Sequence, residues 1–218
     1  MALQLTVEDF MTDAHVKRLK DLCRAAAAAH THNKNGNRQA MHSNCARQAN
    51  RDWAIIHLAL DAGLRVSEIC SLRIDDLLLE SDYPVVVVRN GKGDKKRGVM
   101  IGNSLRHHLN DFLAWKKKTG ESIARNAYLF LSSRGGGRPL TRTAVYRIFK
   151  QKAQTAGLPP RFSIHSCRHT YASRLYRASA YNLRLVQKQL GHASVQTTQI
   201  YADVFDEDAH LAVNNLPQ

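Results

Sequence analysis

The sequence predicts a mainly helical α+β domain carrying one small three-stranded antiparallel sheet. Three observations predict it. Apolar residues recur at helical spacing along most of the 218 residues. Three short β-type runs follow one another between Leu77 and Ile101, joined by turn residues, which is meander order. No linker divides the chain and no segment repeats, so residues 1–218 read as one domain, of a size that a single core can fill.

Taken in order, Thr6 followed three residues later by Asp9 reads as a helix start. Phe10, Val16, Leu19 and Leu22 then lead into the alanines at 25–29, all favouring helix. The stretch HTHNKNGNRQ, from His30 to Gln39, reads as an exposed loop. Its two histidines, His30 and His32, lack a third ligand for a metal. From Asn44 the helical pattern returns, with Trp53, Ile55, Ile56, Leu58, Ala59 and Leu60 as a dense apolar stripe that Asp61-Ala62-Gly63 ends. Val66 or Ser67 opens a second, short helix carrying Ile69, Cys70 and Leu72. Arg65 stands at the joint of these two helices, where a guanidinium is costly to bury unless it binds something.

Strands are expected at Leu77–Leu79, Val85–Val88 and Val99–Ile101. The second turn, RNGKGDKKRG, sets Arg89, Lys92, Lys95, Lys96 and Arg97 against a single Asp94. It lacks the G-x-x-x-x-G-K-[ST] pattern of a phosphate-cradling loop. Asn103 is expected to cap a helix over Ser104–Lys118, which Gly120 stops, and Leu129–Leu131 reads as a strand stub. Ser132–Pro139 is a basic loop. Thr141 caps a helix carrying Val145, Ile148 and Phe149, which closes at Gly157. Three helices are expected within residues 161–201, and an acidic-then-apolar tail, DEDAHLAV, follows.

Charge narrows the class of partner. There are 32 Lys and Arg against 18 Asp and Glu, a net +14, and a field of that size favours polyanions. The four cysteines, Cys23, Cys45, Cys70 and Cys167, form no C-x-x-C pair, which argues for a reducing compartment over a disulfide scaffold. The N-terminus has no apolar core of a signal peptide and no run reaches transmembrane length, so the expected location is cytoplasmic, without a membrane partner.

The chemistry concentrates between Arg161 and Tyr201. His165 and Arg168 are three apart and share a helix face. Gly191 reads as a helix stop that turns His192 back toward them, and Tyr201 follows nine positions on. Imidazoles, a guanidinium and a phenol suit an anion, above all a phosphate. His165 and His169 share the i, i+4 spacing of zinc helices, but Ser166 stands where the zincin glutamate would be and Arg168 repels a cation, so no metal is expected.

Arg65 in GLRVSEI, Lys92 in NGKGDKKR, HSCRH at 165–169, LGH at 190–192 and Tyr201 occur in that order. The chain thereby resembles the catalytic domain of the tyrosine recombinase, or phage integrase, family over roughly Thr6 to Phe205. Any one block is weak alone; five in order are specific. The resemblance implies a site-specific recombinase that cleaves and rejoins double-stranded DNA through a 3′-phosphotyrosyl intermediate, without ATP, metal or other cofactor. It implies Tyr201 as nucleophile, His165 as proton acceptor, Arg65 and Arg168 as phosphate ligands, Lys92 as proton donor to the leaving 5′-oxygen, with Lys95 as its rival, and His192 bonded to the phosphate. Glu68 matches a supporting acid. Lys95, Lys96, Arg97, Arg134, Arg138 and Arg142 are candidate contacts to the DNA backbone. Tyr171 reads as core and Cys167 as a packing residue.

Most family members carry an additional N-terminal core-binding domain, which is not seen in this sequence, and the 30–39 loop is longer than the family pattern. The resemblance further implies a tetrameric homo-oligomer on DNA, with residues 206–218 exchanged between protomers. A type IB topoisomerase-like enzyme, a non-catalytic DNA-binding regulator and a nuclease arising from half-complete recombination are the competing functions. The recombinase reading covers integration, excision or inversion.

Overall fold

The second helix of the domain buries nearly all of its C-terminal half, and five other helices pack around it. The computed structural model describes residues 6–31, 44–89, 96–132 and 137–191. Seven α-helices are found there: α1 (Asp13–Thr31), α2 (Asn44–Asp61), α3 (Val66–Ser71), α4 (Asn103–Lys118), α5 (Arg142–Thr155), α6 (Ile164–Ala178) and α7 (Leu183–Leu190). A sheet of β1 (Leu77–Leu78), β2 (Val85–Val88) and β3 (Arg97–Met100) lies between α3 and α4 in sequence.

In α2 every residue from Asp52 to Leu60 is buried, so this stretch of the helix has no solvent face. It packs on α1, α3, α4, α5 and α6. Trp53, Ile55, Ile56, Leu58, Leu64, Ile69, Phe130, Phe149 and Phe162 belong to the one large core that results. Cutting such a buried aliphatic side chain to alanine costs about 2–5 kcal/mol.

The sheet is an antiparallel meander in the order β1-β2-β3, as the sequence predicts. Val86 faces Leu77 on one side and Val99 on the other, and Val88 faces Arg97. The third strand begins two residues earlier than expected, at Arg97. The strand stub at 129–131 is present only as isolated bridges, Arg73 with Tyr128 and Leu131 with Pro139.

Several helix ends differ from their expected places. Thr6 and Asp9 do meet, the Asp9 carboxylate accepting from the Thr6 amide at 2.8 Å, but they close a short 3-10 turn over Val7–Asp9. The long helix starts at Asp13, where the Thr12 hydroxyl accepts from the His15 amide at 3.2 Å and the Thr12 amide donates to His15 Nδ1. That pair is a capping box with histidine in place of glutamate. The same helix runs to Thr31, so His30 belongs to it and not to the following loop. Gly102, not Asn103, is the N-cap of α4. Thr141 caps α5 as predicted, accepting from the Ala144 amide. Of the three helices expected between 161 and 201, α6 and α7 are described; the third lies outside the described residues, as do residues 32–39 of the expected loop and the tail.

Among the described residues no helix is long and apolar enough to cross a membrane.

Candidate active site

Arg65 occupies the N-cap of α3 in an extended conformation, because the chain must turn between α2 and α3. Glu68, one turn on, closes the cap: its Oε2 accepts from the Arg65 amide at 2.8 Å and its Oε1 from Arg65 Nη1 at 2.9 Å. The carboxylate is buried, so it is no solvated surface acid. Burial would raise its pKa. Hydrogen bonds and charge from Arg97, with a smaller share from Arg65, outweigh that and hold it below the ordinary glutamate value. The Arg65 side chain stays partly open to solvent, at 38%.

Arg97 forks across the same carboxylate, Nη1 to Oε1 at 2.8 Å and Nη2 to Oε2 at 2.9 Å. Arg97, expected as a contact to the DNA backbone, opens β3 on the inward face that it shares with Val99. Lys96 beside it is exposed, as are Arg138 and Arg142. Arg89, at the other strand of the hairpin, is held by Asp75 and Asp76.

His165 and Arg168 both lie on α6, whose N-cap Ser163 exchanges hydrogen bonds with Ser166 and accepts from the His165 amide. His165 is exposed at that helix start. Partial desolvation of its ring, then the positive charges of Arg168 and Arg65, hold its pKa below the usual imidazole value. That helix start is itself a positive pole, in the same sense. At neutral pH the ring is therefore neutral and chemically able to take up a proton.

Arg168 is buried. Its Nη1 donates to the Gly63 carbonyl at 2.6 Å and its Nη2 to the Leu190 carbonyl at 2.8 Å. One guanidinium thus fastens the end of α2, two residues before Arg65, to the end of α7, two residues before His192. Gly191 then terminates α7 in the left-handed region, φ +65°, which is the predicted stop.

The four candidates Arg65, Glu68, His165 and Arg168 are accordingly brought together. Lys92, Lys95, Arg134, His192 and Tyr201 lie outside the described residues. Tyr171 packs against Gly63, and burial, reinforced by Asp61, pushes its phenol up to about 12, a poor setting for a nucleophile. Cys167 is fully buried packing. His169 leans edge-on against Phe10, and burial, then His165 and Arg168, draw its pKa down to about 4. Among the described residues no group of three His, Cys, Asp or Glu side chains is placed to hold a metal ion.

Residues 29–208 match the model of the Phage integrase family. The chain belongs to that family. A tyrosine recombinase XerD of Corynebacterium glutamicum is 36% identical over 154 residues, which cover 71% of this chain and 48% of the relative. A tyrosine recombinase XerC of Caldanaerobacter subterraneus subsp. tengcongensis is 36% identical over 167 residues, 77% of this chain and 45% of that one. The chain therefore spans about half the length of these curated relatives. The crystal structure of XerA recombinase superposes with a TM-score of 0.73 at 24% identity, covering all of this chain and 66% of that one, and carries the likeness of fold. The helical fold with its small antiparallel sheet is the catalytic-domain fold of the phage integrase family.

Arg97 is the site residue whose position the sequence reading missed. The signal was present: in a strand beginning at Arg97, positions 97 and 99 share a face, and Val99 is apolar.

Proposed function

We propose that this phage integrase domain is the strand-cleaving and rejoining unit of a site-specific DNA recombinase acting on double-stranded DNA in the cytoplasm. The reading is supported by one observation above the others. Arg168 ties the Arg65 joint to the turn before His192, with neutral His165 beside both guanidiniums.

The chemistry follows from that arrangement. Tyr201 attacks the scissile phosphorus, its phenolic proton passing to His165, and the bond from phosphorus to the 5′-oxygen breaks. A phenol of ordinary pKa about 10 needs such an acceptor and a positive field. Arg65 and Arg168 bind the non-bridging oxygens as their charge grows in the transition state. Lys92 protonates the leaving 5′-oxygen, and His192 hydrogen-bonds the phosphate. One phosphodiester becomes one phosphotyrosyl ester, so a 5′-hydroxyl of another strand reverses the step without ATP. The guanidiniums and the lysine provide the charge that a metal would otherwise bring.

Lys95, Lys96, Arg134, Arg138 and Arg142 extend the positive surface along the DNA backbone, and Glu68 orients Arg65. Residues 1–218 form one catalytic domain in this reading. Protomers assemble as a tetramer on DNA, exchanging residues 206–218. The test is a pool of nicked duplexes of randomised sequence, which trap a covalent intermediate because the short strand diffuses away. The unaltered protein forms an adduct stable to detergent, and Tyr201→Phe forms none; an adduct with the variant defeats the assignment.

A further inference from the structure

Arg97 has no part in the chemistry above, yet its guanidinium is committed to the buried carboxylate that also holds Arg65. Its fork takes both oxygens of Glu68 at 2.8 and 2.9 Å, and its side chain is only 15% exposed. It also lies hard against Gly191: a Cβ at that glycine would stand 2.5 Å from Arg97 Cδ and 2.6 Å from Nε. We infer that Arg97 is a positioning residue of the strand-transfer site, which keeps the Arg65 charge available to the phosphate and sets the turn that leads into His192. This rests on the reading of the domain as a strand transferase.

The first half is a matter of charge. Arg65 and Glu68 alone are a neutral pair, and a guanidinium neutralised by a buried carboxylate has less to offer an incoming phosphate. With Arg97 the cluster holds two guanidiniums and one carboxylate and is net positive. Each oxygen of Glu68 already accepts from Arg97, so the Arg65 side chain gives it a single bond, from Nη1, and keeps its other donors. A lysine brings the charge but not the fork, and spans only one oxygen at a time.

The second half is a matter of packing. β3 contacts α7, and the Met100 amide donates to Gln189 Oε1 at 3.1 Å, so the strand that carries Arg97 is already fixed to the helix that Gly191 ends. The guanidinium lies between Glu68 and the Gly191 backbone, leaving no room for a side chain at 191 even apart from its φ of +65°. Arg97 thus links the two halves of the site: the Arg65 joint through Glu68, and the end of α7 by contact with Gly191.

The experiment uses the full chain and the nicked duplex pool, with Arg97→Gln and Arg97→Lys, each also combined with Glu68→Gln. Thermal melts establish that each variant is folded, and the lysine variant serves if the glutamine one is not. DNA binding by mobility shift should change little, while single-turnover cleavage falls by about 10- to 100-fold, less than the roughly 10²–10³-fold for losing a donor that touches the transition state, because Arg65 itself remains. A merely structural role would make the second substitution additive. Instead, neutralising that carboxylate with Glu68→Gln should restore cleavage by about tenfold, because Arg65 is released from its neutral pair. Wild-type cleavage by Arg97→Gln, or a double variant no faster than the single, overturns the inference while the nucleophile assignment stands. Absence of an adduct with the unaltered protein defeats the strand-transferase reading first and the inference with it.

Discussion

Arg168 donates to the backbone carbonyl of Gly63 at 2.6 Å, across 105 residues of sequence, and so fixes where the Arg65 joint lies relative to α6. With its second arm on Leu190, the same side chain sets the end of α7. A residue proposed to bind phosphate is therefore also a structural clasp, and the two roles can be separated by experiment.

Arg168→Met keeps the apolar stem but leaves two buried carbonyls without this donor. The expected loss is about 2–4 kcal/mol of unfolding free energy, read from urea titration, alongside loss of cleavage. A stability change under about 0.5 kcal/mol, the level of an ordinary surface substitution, would mean the clasp contributes nothing.

Gly63 is the partner of that clasp and is strained against replacement twice. Its φ is +59°, and a Cβ there would lie 2.3 Å from Tyr171 Cδ1. Gly63→Ala should destabilise by about 2 kcal/mol or more, since left-handed backbone and overpacking each cost on this scale. Gly120, with φ +74° and open space around it, is the control: Gly120→Ala has only the backbone penalty and should cost less.

The depressed pKa of His165 sets the pH profile of cleavage. Its ring stays neutral until the pH falls below the ordinary imidazole value of 6.5, because desolvation and the charges of Arg168 and Arg65 oppose protonation. Single-turnover cleavage should therefore hold level through neutrality and decline only on the acid side of 6.5. Substituting Arg65 by Gln should move that acid limb upward. A limb at or above 7 in the unaltered protein would contradict the proposed acceptor.

A second histidine governs stability instead. His108 stacks on Trp53 with ring centroids 4.7 Å apart, hydrogen-bonds His57 at 2.8 Å between Nδ1 atoms, and has its pKa drawn to about 3 by burial and by His57. The folded value is below the unfolded value of 6.5, so the unfolded chain binds the proton first as the pH falls. The contribution is complete above 6.5 and is lost progressively between 6.5 and about 3. His108→Gln should flatten the fall of urea stability with pH over that window; an unchanged slope would dissociate His108 from it.

Most of the fold was legible because its signals are local. The apolar stripe from Trp53 to Leu60, the Thr141 cap and the Gly191 stop each act within a turn of helix, and each is found where the sequence puts it. The start of α1 was displaced because Thr6 and Asp9 close a small turn of their own, while Thr12 pairs with a histidine that no capping pattern names. Arg65, Glu68, His165 and Arg168 were visible as types in an order, but no spacing in sequence reveals that one guanidinium joins Gly63 to Leu190. Arg97 was hidden by its neighbours: in the run KKR, exposed Lys96 and inward-facing Arg97 look alike until strand parity separates them.

The central claim is a covalent bond between Tyr201 and DNA. The most direct measurement is mass spectrometry of the peptide–DNA adduct recovered from the nicked duplex pool after proteolysis. The account predicts a 3′-phosphate esterified to Tyr201, with a free 5′-hydroxyl on the released strand. A link to any other residue, or a 5′-phosphate on Tyr201, would contradict it.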